Sequence, residues 1–256
     1  MEEPGEFAGR VALVTAAAGQ GCGQAIARRL AFGGARVVVT DVHEARTRQV
    51  AATIAAEHPG TVVVGQPLDA GDRRQIDEVV GAVQRDLGPI QILVNNAALN
   101  VVGSIFDYDP HDWDRIMRVN LSGPWFLCRA TMPGMRDAGG GAIVNVSSYA
   151  VDIGGGGSEA PYAISKGGLN VLTRSCAHEG GRFGIRSNTV SVGVVAGTRF
   201  VDQHPELLER PELRGVLPDA VDTHDVAEAV AFLASDRARH VTGTILDVSS
   251  GAYMRT

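Results

Sequence analysis

Two side chains suited to proton transfer, Tyr162 and Lys166, lie four residues apart in the stretch APYAISK. On a helix, residues at this spacing share one face, so the ammonium group would lie beside the phenol. A cation there favours the phenolate and lowers the pKa of the phenol from its usual value of about 10. The pair therefore predicts a proton donor and acceptor that works near neutral pH. The same spacing is also common for two solvated side chains, so other features of the chain must decide.

A glycine-rich turn follows the first apolar segment and contains Gly19, Gly21 and Gly23, with Gln20 between the first two. Glycines allow the backbone to approach a pyrophosphate closely, and the helix that begins near Gln24 offers free N–H groups at its N-terminus. The pattern predicts a dinucleotide-binding turn, although glycines also serve simple turns that bind nothing.

A carboxylate, Asp41, ends the second apolar segment, 20 residues after Gly21. There it can accept hydrogen bonds from the ribose hydroxyls of adenosine, and it would repel a 2′-phosphate. Neither Gln20 nor Val42 is basic, so we expect no cation to offset that repulsion. These features favour NAD over NADP. The alternative is an Asp at a strand end that caps the next helix.

Short β-branched segments alternate with segments of helical periodicity along the whole chain. The predicted strands are residues 11–15, 36–40, 61–64, 90–94, 142–146, 186–190 and 244–248. Residues 24–32 and 75–87 carry apolar side chains at helical spacing and predict crossover helices. Such repetition predicts a doubly wound α/β fold, a parallel seven-stranded sheet with helices on both faces.

The chain contains no low-complexity linker, so we predict a single domain over residues 1–256. Residues 193–218 form the one long segment without clear periodicity, and they include three prolines and mixed charge. In a compact domain such a segment is often functional, so we predict a substrate lid there.

The charge and composition of the chain exclude several classes of partner. With 23 basic and 29 acidic residues, the net charge is −6, and no run of Lys or Arg occurs. We therefore expect neither nucleic acid nor a membrane surface as a partner. No apolar run reaches the roughly 18 residues of a membrane span. Cys22, Cys128 and Cys176 are odd in number and far apart, which is typical of a reducing compartment, so we expect a cytoplasmic protein.

No metal is predicted. The seven histidines lack the spacing of metal ligands. Asp107, Asp109, Asp112 and Asp114 lie within eight residues, but they lack the glycine turn and the distal Glu of a calcium loop. Helix capping is the more natural explanation of this acidic segment.

Taken together, the motifs resemble those of the short-chain dehydrogenase/reductase family in order and spacing over nearly the whole chain. Besides the glycine-rich turn they are Leu68-Asp69, Asn95-Asn96-Ala97-Ala98, Val119-Asn120-Leu121, Asn145-Val146-Ser147-Ser148, Tyr162-Ala163-Ile164-Ser165-Lys166, Phe232-Leu233-Ala234-Ser235-Asp236 and Val241-Thr242-Gly243. The resemblance implies a nicotinamide cofactor and a catalytic tetrad of Asn120, Ser148, Tyr162 and Lys166.

The resemblance also implies a role for each member of the tetrad. Ser148 would hydrogen-bond the substrate oxygen, and Tyr162 would exchange a proton with it. Lys166 would stabilise the phenolate and hold the nicotinamide ribose, and Asn120 would anchor a water chain that carries the proton outward. Ser147 is the competing serine, but on the other side of the pleat it would serve the sheet.

Further contacts with the cofactor follow from the resemblance outside the tetrad. Asp69 would face the adenine edge, although it could equally cap a helix, and Asn96 would contact the cofactor from its motif. Val195 would offer a backbone contact to the carboxamide, and Thr198 a contact on its phosphate side. The small residues Ala163, Gly167 and Gly168 predict the close approach of a partner helix, and the family implies a homotetramer or homodimer.

Three segments depart from the family pattern. Ala16 stands where glycine is usual, and the turn is one residue longer, so Gly21 and Gly23 are the firmest assignments within it. Four glycines, residues 154–157, separate Ser148 from Tyr162 and predict a reshaped pocket wall. Val192-Gly193 and Ser249-Ser250-Gly251 also differ, so the nicotinamide loop and a subunit contact are expected to be built differently.

Three functions remain open on the sequence. The first is an NAD-dependent dehydrogenase that interconverts a secondary alcohol and a ketone in a largely apolar small molecule. The second is an NADPH-dependent 3-oxoacyl thioester reductase, and the third is a dinucleotide-binding regulator without turnover. Apolar pocket walls are predicted at Leu99, Val101, Val102, Ile105, Phe200, Val201, Leu207 and Leu208.

Overall fold

Seven strands form one sheet in the order β3-β2-β1-β4-β5-β6-β7, and every neighbouring pair is parallel. The computed structural model describes residues 5–203, 205–208, 213 and 215–254. The strands are β1 Val11–Val14, β2 Arg36–Asp41, β3 Val63–Pro67, β4 Ile90–Asn95, β5 Gly141–Ser148, β6 Ile185–Val192 and β7 Ile245–Val248. The helices are α1 Cys22–Phe32, α2 Glu44–Glu57, α3 Arg73–Leu87, α4 Pro110–Met117, α5 Gly123–Asp137, α6 Ala160–Gly180, α7 Arg199–Gln203 and α8 Thr223–Ala234. The prediction of a doubly wound parallel sheet of seven strands is confirmed.

Helices cover both faces of the sheet because successive side chains of each strand point to opposite sides. Ala12 and Val14 of β1 pack with α1, α2 and α8 on one face. Val11 and Leu13 of the same strand pack with α3, α5 and α6 on the other. Strands in the middle of the sheet, such as β1 and β4, are therefore apolar on both sides, which is why they appear as continuous apolar segments in the sequence.

Strand β3 lies later in the chain than predicted, at Val63–Pro67 and not at residues 61–64. Gly65 explains the difference, because a glycine within a strand looks like a turn in the sequence. In the structure a Cβ at Gly65 would lie 2.7 Å from the carbonyl oxygen of Thr47, so α2 can pack there only against glycine. Strand β5 is longer than the predicted 142–146 and continues to Ser148.

The chain reverses its direction along the sheet at β1, since β2 lies on one side of it and β4 on the other. In an open parallel sheet, ligands bind beyond the carboxyl ends of the strands at such a reversal. The crevice between the ends of β1 and β4 is therefore the place where this fold binds ligands.

A buried chain of hydrogen bonds crosses the sheet below that crevice. The Asn95 amide on β4 donates to Asn145 Oδ1 at 2.8 Å, and the Asn145 amide donates to Thr173 Oγ1 on α6 at 2.7 Å. The Thr173 and Thr189 hydroxyls are 2.7 Å apart. Because unmet polar groups are costly in a core, this chain holds α6 in one position on β4, β5 and β6.

The segment predicted as a lid, residues 193–218, leaves the sheet after β6. Its described part contains α7 and a 3₁₀ turn at Pro205–Leu208. Ala196, near the start of the segment, forms a parallel β-bridge with Asp222, which follows its end. The two ends of the segment therefore lie close to each other. Residues 204, 209–212 and 214 of the predicted lid lie outside the described residues.

The described residues contain neither a membrane-spanning helix nor a cluster of metal ligands. None of the helices there is long and apolar enough to cross a membrane. No group of three or more His, Cys, Asp or Glu side chains in that part of the chain is arranged to hold a metal ion.

A buried arginine joins the N-terminal segment to two helices. The guanidinium of Arg29 on α1 donates to Glu6 Oε2 at 3.0 Å and to Glu228 Oε1 on α8. The side chains of Arg29 and Glu6 are only 4% and 7% exposed. The Phe7 ring centroid lies 5.9 Å from the Arg29 guanidinium carbon.

We expect Arg29→Met to reduce the free energy of unfolding by about 3–5 kcal/mol, because the buried Glu6 carboxylate loses its hydrogen-bonded cation and retains only Arg237, an exposed side chain 3.8 Å away. The matched control is Arg28→Met, whose residue is one position away and pairs with Glu57 at the surface. That exposed pair should contribute about 0–1 kcal/mol. Urea denaturation of the three proteins measures both. Equal losses for the two variants would contradict the prediction.

Candidate active site

The glycine-rich turn is anchored to the end of β4 by one buried side chain, Thr15. Its hydroxyl accepts hydrogen bonds from the backbone N–H groups of Asn96 and Ala97, both at 2.9 Å. The Asn96 amide donates in return to the carbonyl oxygens of Thr15 at 3.0 Å and Ala16 at 3.3 Å. Asn96, predicted to contact the cofactor, therefore shapes the turn that would bind it.

The three glycines of the turn are under different constraints. Gly21 has a φ of 145° and precedes the first residue of α1. A Cβ at Gly23 would lie 2.4 Å from the carbonyl oxygen of Ala16 and 2.6 Å from the Asn96 amide nitrogen. At Gly19 no described atom lies within 4 Å of such a Cβ. The backbone thus requires glycine at Gly21 and Gly23, and at Gly19 it does not.

This turn has the features of a dinucleotide cradle. The α1 N-terminus follows it directly, and no acidic side chain occurs in the first turn of that helix. The N–H groups there can bind a pyrophosphate without competition from a carboxylate. Gln20 does not point into the cradle, since its amide donates to Asp202 on α7 at 3.1 Å.

Asp41 is the last residue of β2, and its largely buried carboxylate has two polar partners. Its Oδ1 accepts a hydrogen bond from the His43 N–H at 3.2 Å and lies 3.4 Å from Nη2 of Arg46. The expectation that no cation offsets Asp41 is therefore wrong. Neither Gln20 nor Val42 is basic, but the first turn of α2 brings Arg46 back to Asp41.

Asp69 follows β3 and supports its own loop. Its Oδ1 accepts a hydrogen bond from the Gly71 N–H at 2.8 Å. The cap of α3 is instead Asp72, which accepts hydrogen bonds from Arg74 and Gln75. Asp69 therefore lies at the carboxyl edge of the sheet, and the alternative that it caps a helix is wrong.

Ser148, Tyr162 and Lys166 meet where β5 ends beside the start of α6. The hydroxyl of Ser148 lies beside the phenol of Tyr162 and lowers its pKa. The Lys166 ammonium nitrogen lies 5.6 Å from the centroid of the Tyr162 ring and donates to the Val146 carbonyl oxygen at 2.7 Å. Ser147 faces the other way and donates to the Lys166 carbonyl oxygen at 3.3 Å.

The electrostatics of this group differ from the sequence expectation. Burial raises the pKa of Tyr162, the Glu159 carboxylate raises it further, and the Ser148 hydroxyl opposes both. Burial also lowers the pKa of Lys166 to about 8. The prediction that the ammonium brings the phenol pKa below its usual value is wrong. Burial removes water from the phenolate and destabilises it more than the neighbouring groups stabilise it.

Asn120 lies on a single π-helical turn, Arg118–Ser122, between α4 and α5. Its amide group donates to the Leu99 carbonyl at 2.8 Å and to Ser165 Oγ at 3.1 Å, and its Oδ1 accepts from the Leu99 N–H at 2.7 Å. Ser165 in turn donates to the Tyr162 carbonyl at 2.7 Å. Asn120 is completely buried and links the loop after β4 to the helix that carries Tyr162.

Thr198 and Val195 lie next to each other at the start of the predicted lid. The Thr198 hydroxyl donates to the Val195 carbonyl at 2.9 Å. A Cβ at Gly21 would lie 3.8 Å from the Thr198 methyl carbon. The segment predicted as a lid therefore begins beside the glycine-rich turn.

The predicted pocket walls are only partly brought together. Val102 and Ile105 are exposed in the loop between β4 and α4, whereas Val201 is buried. Leu207 and Leu208 line a separate cavity of about 270 Å³ against the C-terminal loop. A larger cleft of about 620 Å³ lies between α5 and α6, away from the tetrad, and the sequence reasoning did not predict it.

Comparison with known proteins identifies the family. Residues 16–253 match a family model described as enoyl-(acyl carrier protein) reductase. The chain is 37% identical over 246 residues to the (5R,7aS)-5-hydroxy-7a-methyl-1-oxo-2,3,5,6,7,7a-hexahydro-1H-indene-carboxyl-CoA reductase of Mycobacterium tuberculosis, covering 94% of this chain and 92% of that protein. It is 34% identical to the 3-oxoacyl-(acyl-carrier-protein) reductase FabG of Escherichia coli, covering 97% and 99%. The crystal structure of a putative short-chain dehydrogenase/reductase from Burkholderia xenovorans superimposes with a TM-score of 0.89 at 34% identity, covering 98% and 99%.

The chain belongs to the short-chain dehydrogenase/reductase family. It is therefore an oxidoreductase that interconverts alcohols and carbonyl compounds with a nicotinamide dinucleotide. The resemblance seen in the sequence is confirmed at the level of family and fold. The non-catalytic regulator is set aside, because the matched proteins are enzymes.

Two side chains near the tetrad were missed from the sequence. Glu159 precedes α6, and the Asn100 amide donates to its Oε1 at 2.5 Å from the loop after β4. No motif contains either residue. Helical spacing was the one available signal, since Glu159 lies three residues before Tyr162.

We expect Gly23→Ala to weaken dinucleotide binding at least tenfold, because its methyl group would displace the Ala16 carbonyl or the Asn96 amide. The matched control is Gly81→Ala in α3, where no described atom lies within 4 Å of the new Cβ. Fluorescence titration with NADH and NADPH gives the dissociation constants. Unchanged affinity in a folded Gly23→Ala protein would show that this turn does not bind the cofactor.

Proposed function

We propose that this member of the family transfers hydride between NAD(H) and a secondary alcohol or ketone through the tetrad Asn120, Ser148, Tyr162 and Lys166. The observation that carries the proposal is the meeting of Ser148, Tyr162 and Lys166 beside a glycine-rich cradle at the carboxyl edge of the sheet. The nicotinamide supplies or accepts the hydride when it is bound.

The protein side chains handle the proton and the carbonyl oxygen. Ser148 lies beside the Tyr162 phenol, and both hydroxyls can donate to one substrate oxygen. The phenol gives its proton to that oxygen in reduction and takes it back in oxidation. Lys166 uses one of its three N–H bonds on Val146 and retains two for the phenolate or a ribose.

Asn120 acts mainly by positioning. Both hydrogens of its amide are already used, on Leu99 and Ser165, and its Oδ1 accepts from the Leu99 N–H, so one lone pair of Oδ1 remains for a water. The link through Ser165 to the Tyr162 carbonyl holds the first turn of α6. A small displacement of the proton donor would be costly to the rate.

The substrate is proposed to be an apolar ketone or an acyl thioester. Two relatives are named for a CoA thioester and for an acyl-carrier-protein thioester. The loop after β4 exposes Val102, Ile105 and Phe106, and apolar side chains beside a site are suited to an acyl chain.

The second candidate is the NADPH-dependent 3-oxoacyl thioester reductase. Arg46 is the observation that favours it, because its guanidinium could leave Asp41 and pair with a 2′-phosphate. The Asp41 carboxylate favours NAD, since it is nearly buried and would lie against that phosphate. We therefore keep NAD(H) as the first choice.

Residues 193–218 are proposed to form the lid of the site. The support is the hydrogen bond from Gln20 to Asp202 and the position of Thr198, whose methyl carbon would lie 3.8 Å from a Cβ at Gly21, so that the start of this segment lies beside the glycine-rich turn. In this position Val195 and Thr198 would contact the nicotinamide carboxamide, and Asp69 and Asn96 would line the other half of the site.

A homotetramer or homodimer in the cytoplasm is proposed for the assembly. Trp125 on α5 and Ile164 and Val171 on α6 are about half exposed, and Trp125 lines the 620 Å³ cleft. Ala163 and Gly168 do not support a partner helix as predicted. Ala163 is buried, and a Cβ at Gly168 would lie 2.9 Å from Leu121 of the same chain.

We expect Tyr162→Phe to reduce kcat by roughly 10²–10⁴ while the dissociation constant of NADH stays nearly unchanged. Tyr253→Phe near the C-terminus is the control. The assay follows NADH oxidation with 3-oxoacyl thioesters and NADH formation with a panel of secondary alcohols. Near-normal turnover of Tyr162→Phe would show that the proton travels by another route.

Cofactor selectivity should depend on both Asp41 and Arg46. The wild-type enzyme should favour NAD(H) about 5- to 150-fold, because a 2′-phosphate would meet the carboxylate at a cost of about 1–3 kcal/mol. Arg46→Ala should widen this preference by weakening NADP(H) alone, and Asp41→Asn should narrow it. Arg48→Ala, on the same helix and paired with Glu44, is the control. Tighter binding of NADPH than of NADH by the wild type would favour the second candidate.

A further inference from the structure

Gln20 lies in a loosely packed part of the glycine-rich turn. Elsewhere the turn is fixed, because the Ala17 N–H donates to the Thr40 carbonyl at 2.8 Å and Gly23 has no room for a side chain. Gln20 is exposed, and a Cβ at Gly19 would have no described atom within 4 Å. The turn is one residue longer than the family pattern, and Gln20 belongs to the lengthened part. The packing of the turn therefore does not explain its extra length.

The side chain of Gln20 reaches the segment proposed as the lid. Its amide donates to Oδ2 of Asp202 on α7 at 3.1 Å, across 182 positions of sequence. Beside this bond, the Thr198 methyl carbon would lie 3.8 Å from a Cβ at Gly21. The hydrogen bond and this close approach join the start of the lid to the residues that precede α1.

Asp202 is firmly attached to the start of the lid. Its N–H donates to the Thr198 carbonyl at 2.9 Å, and the Thr198 hydroxyl donates to the Val195 carbonyl at 2.9 Å. Val201, the residue before Asp202, is only 4% exposed. Because these contacts join α7 to the end of β6, Asp202 moves together with the start of the lid.

The bond between Gln20 and Asp202 borders the place where a dinucleotide would bind. Gln20 directly precedes Gly21, the N-cap residue of α1, and the N–H groups available for a pyrophosphate begin there. The start of the lid can leave the turn only after this hydrogen bond has broken. The bond is thus in a position to control how fast the lid opens.

We propose that Gln20 is a positioning residue that ties the lid to the glycine-rich turn and thereby slows the release of a bound dinucleotide. This inference rests on the proposed function in one respect, the assignment of residues 193–218 as the lid. A dinucleotide under a lid leaves when the lid opens, so each release requires the bond to break. Loss of one such hydrogen bond should speed release about 2- to 10-fold.

A double-mutant cycle on Gln20→Ala and Asp202→Ala measures the contribution of the bond. Each protein is loaded with NADH and mixed rapidly with excess NAD⁺, and the fall in NADH fluorescence gives the release rate. The experiment is repeated with NADPH and NADP⁺. Gln20→Ala should speed release in the wild type but not in the Asp202→Ala background, because the bond can be lost only once. Both side chains are exposed, so we expect all of these proteins to fold.

The matched control is Gln49→Ala, which makes the same change at an exposed position on α2 and should leave the release rate unchanged. An equal effect of Gln20→Ala with and without Asp202 would overturn the inference. So would a release rate in Gln20→Ala equal to that of the wild type.

A second measurement needs no cofactor. Gln20→Glu places two carboxylates at the contact, so hydrogen exchange of residues 199–203 at short labelling times should become faster. Adding Asp202→Asn restores one donor and one acceptor with the direction of the bond reversed, and exchange should return towards the rate of the wild type. Exchange that stays as fast in this double variant as in Gln20→Glu would show that the bond does not hold the lid.

This inference and the proposed function can fail separately. Retained turnover in Tyr162→Phe would refute the proposed proton transfer, and the release rates do not depend on that result. If NADH and NADPH give residues 199–203 of the wild type no protection from exchange, the lid assignment is wrong, and the cycle still decides whether Gln20 slows release. If protection appears while Gln20→Ala releases the dinucleotide at the rate of the wild type, the lid stands and this inference is wrong.

Discussion

The hydroxyl of Thr15 is the contact on which the rest of the active site depends. It joins the ends of β1 and β4, the two strands between which the chain reverses, by accepting hydrogen bonds from two consecutive N–H groups. The amide of Asn96 completes the link by donating to the turn itself. The glycine-rich turn and the loop after β4 therefore move as one body. The glycine requirement at Gly23 follows from this, because the atoms that a side chain would displace are those that hold the two loops together.

A second set of polar contacts fixes α6, which carries Tyr162 and Lys166. On the side of the sheet, hydrogen bonds run from Asn95 on β4 through Asn145 on β5 to Thr173 in the middle of that helix. Asn120 is linked to the first turn of α6 through Ser165, which donates to the Tyr162 carbonyl. These bonds lie in the interior, where an unmet partner is costly, so they specify one position of the helix and not a range. Proton transfer needs such precision, since its rate is sensitive to small changes in the separation of donor and acceptor.

The sequence predicted the elements well where the physical signal is local. Apolar strands and helical periodicity located all seven strands, and the spacing of Tyr162 and Lys166 placed them on one helix. The bounds of β3 were predicted wrongly because of Gly65. Glycine usually interrupts a strand, but here it is required because α2 packs closely against the strand. Arg46 was missed because it meets Asp41 only when the chain turns into α2. The pKa of Tyr162 could not be read from its neighbours in sequence, because burial depends on distant parts of the chain.

Burial acts on Tyr162 and Lys166 in the same sense, against the charged form of each. A phenolate formed during turnover must therefore be stabilised by groups already in place, because water cannot reorganise around it. Ser148 provides one such group with its hydroxyl, and Lys166 another, provided that its ammonium remains protonated at a pKa of about 8. Val146 serves this end, since its carbonyl oxygen lies 2.7 Å from the ammonium nitrogen and favours the charged lysine. In the proposed mechanism, the end of β5 thus contributes twice, with the Ser148 side chain beside the phenol and with a backbone carbonyl that keeps the lysine charged and in position.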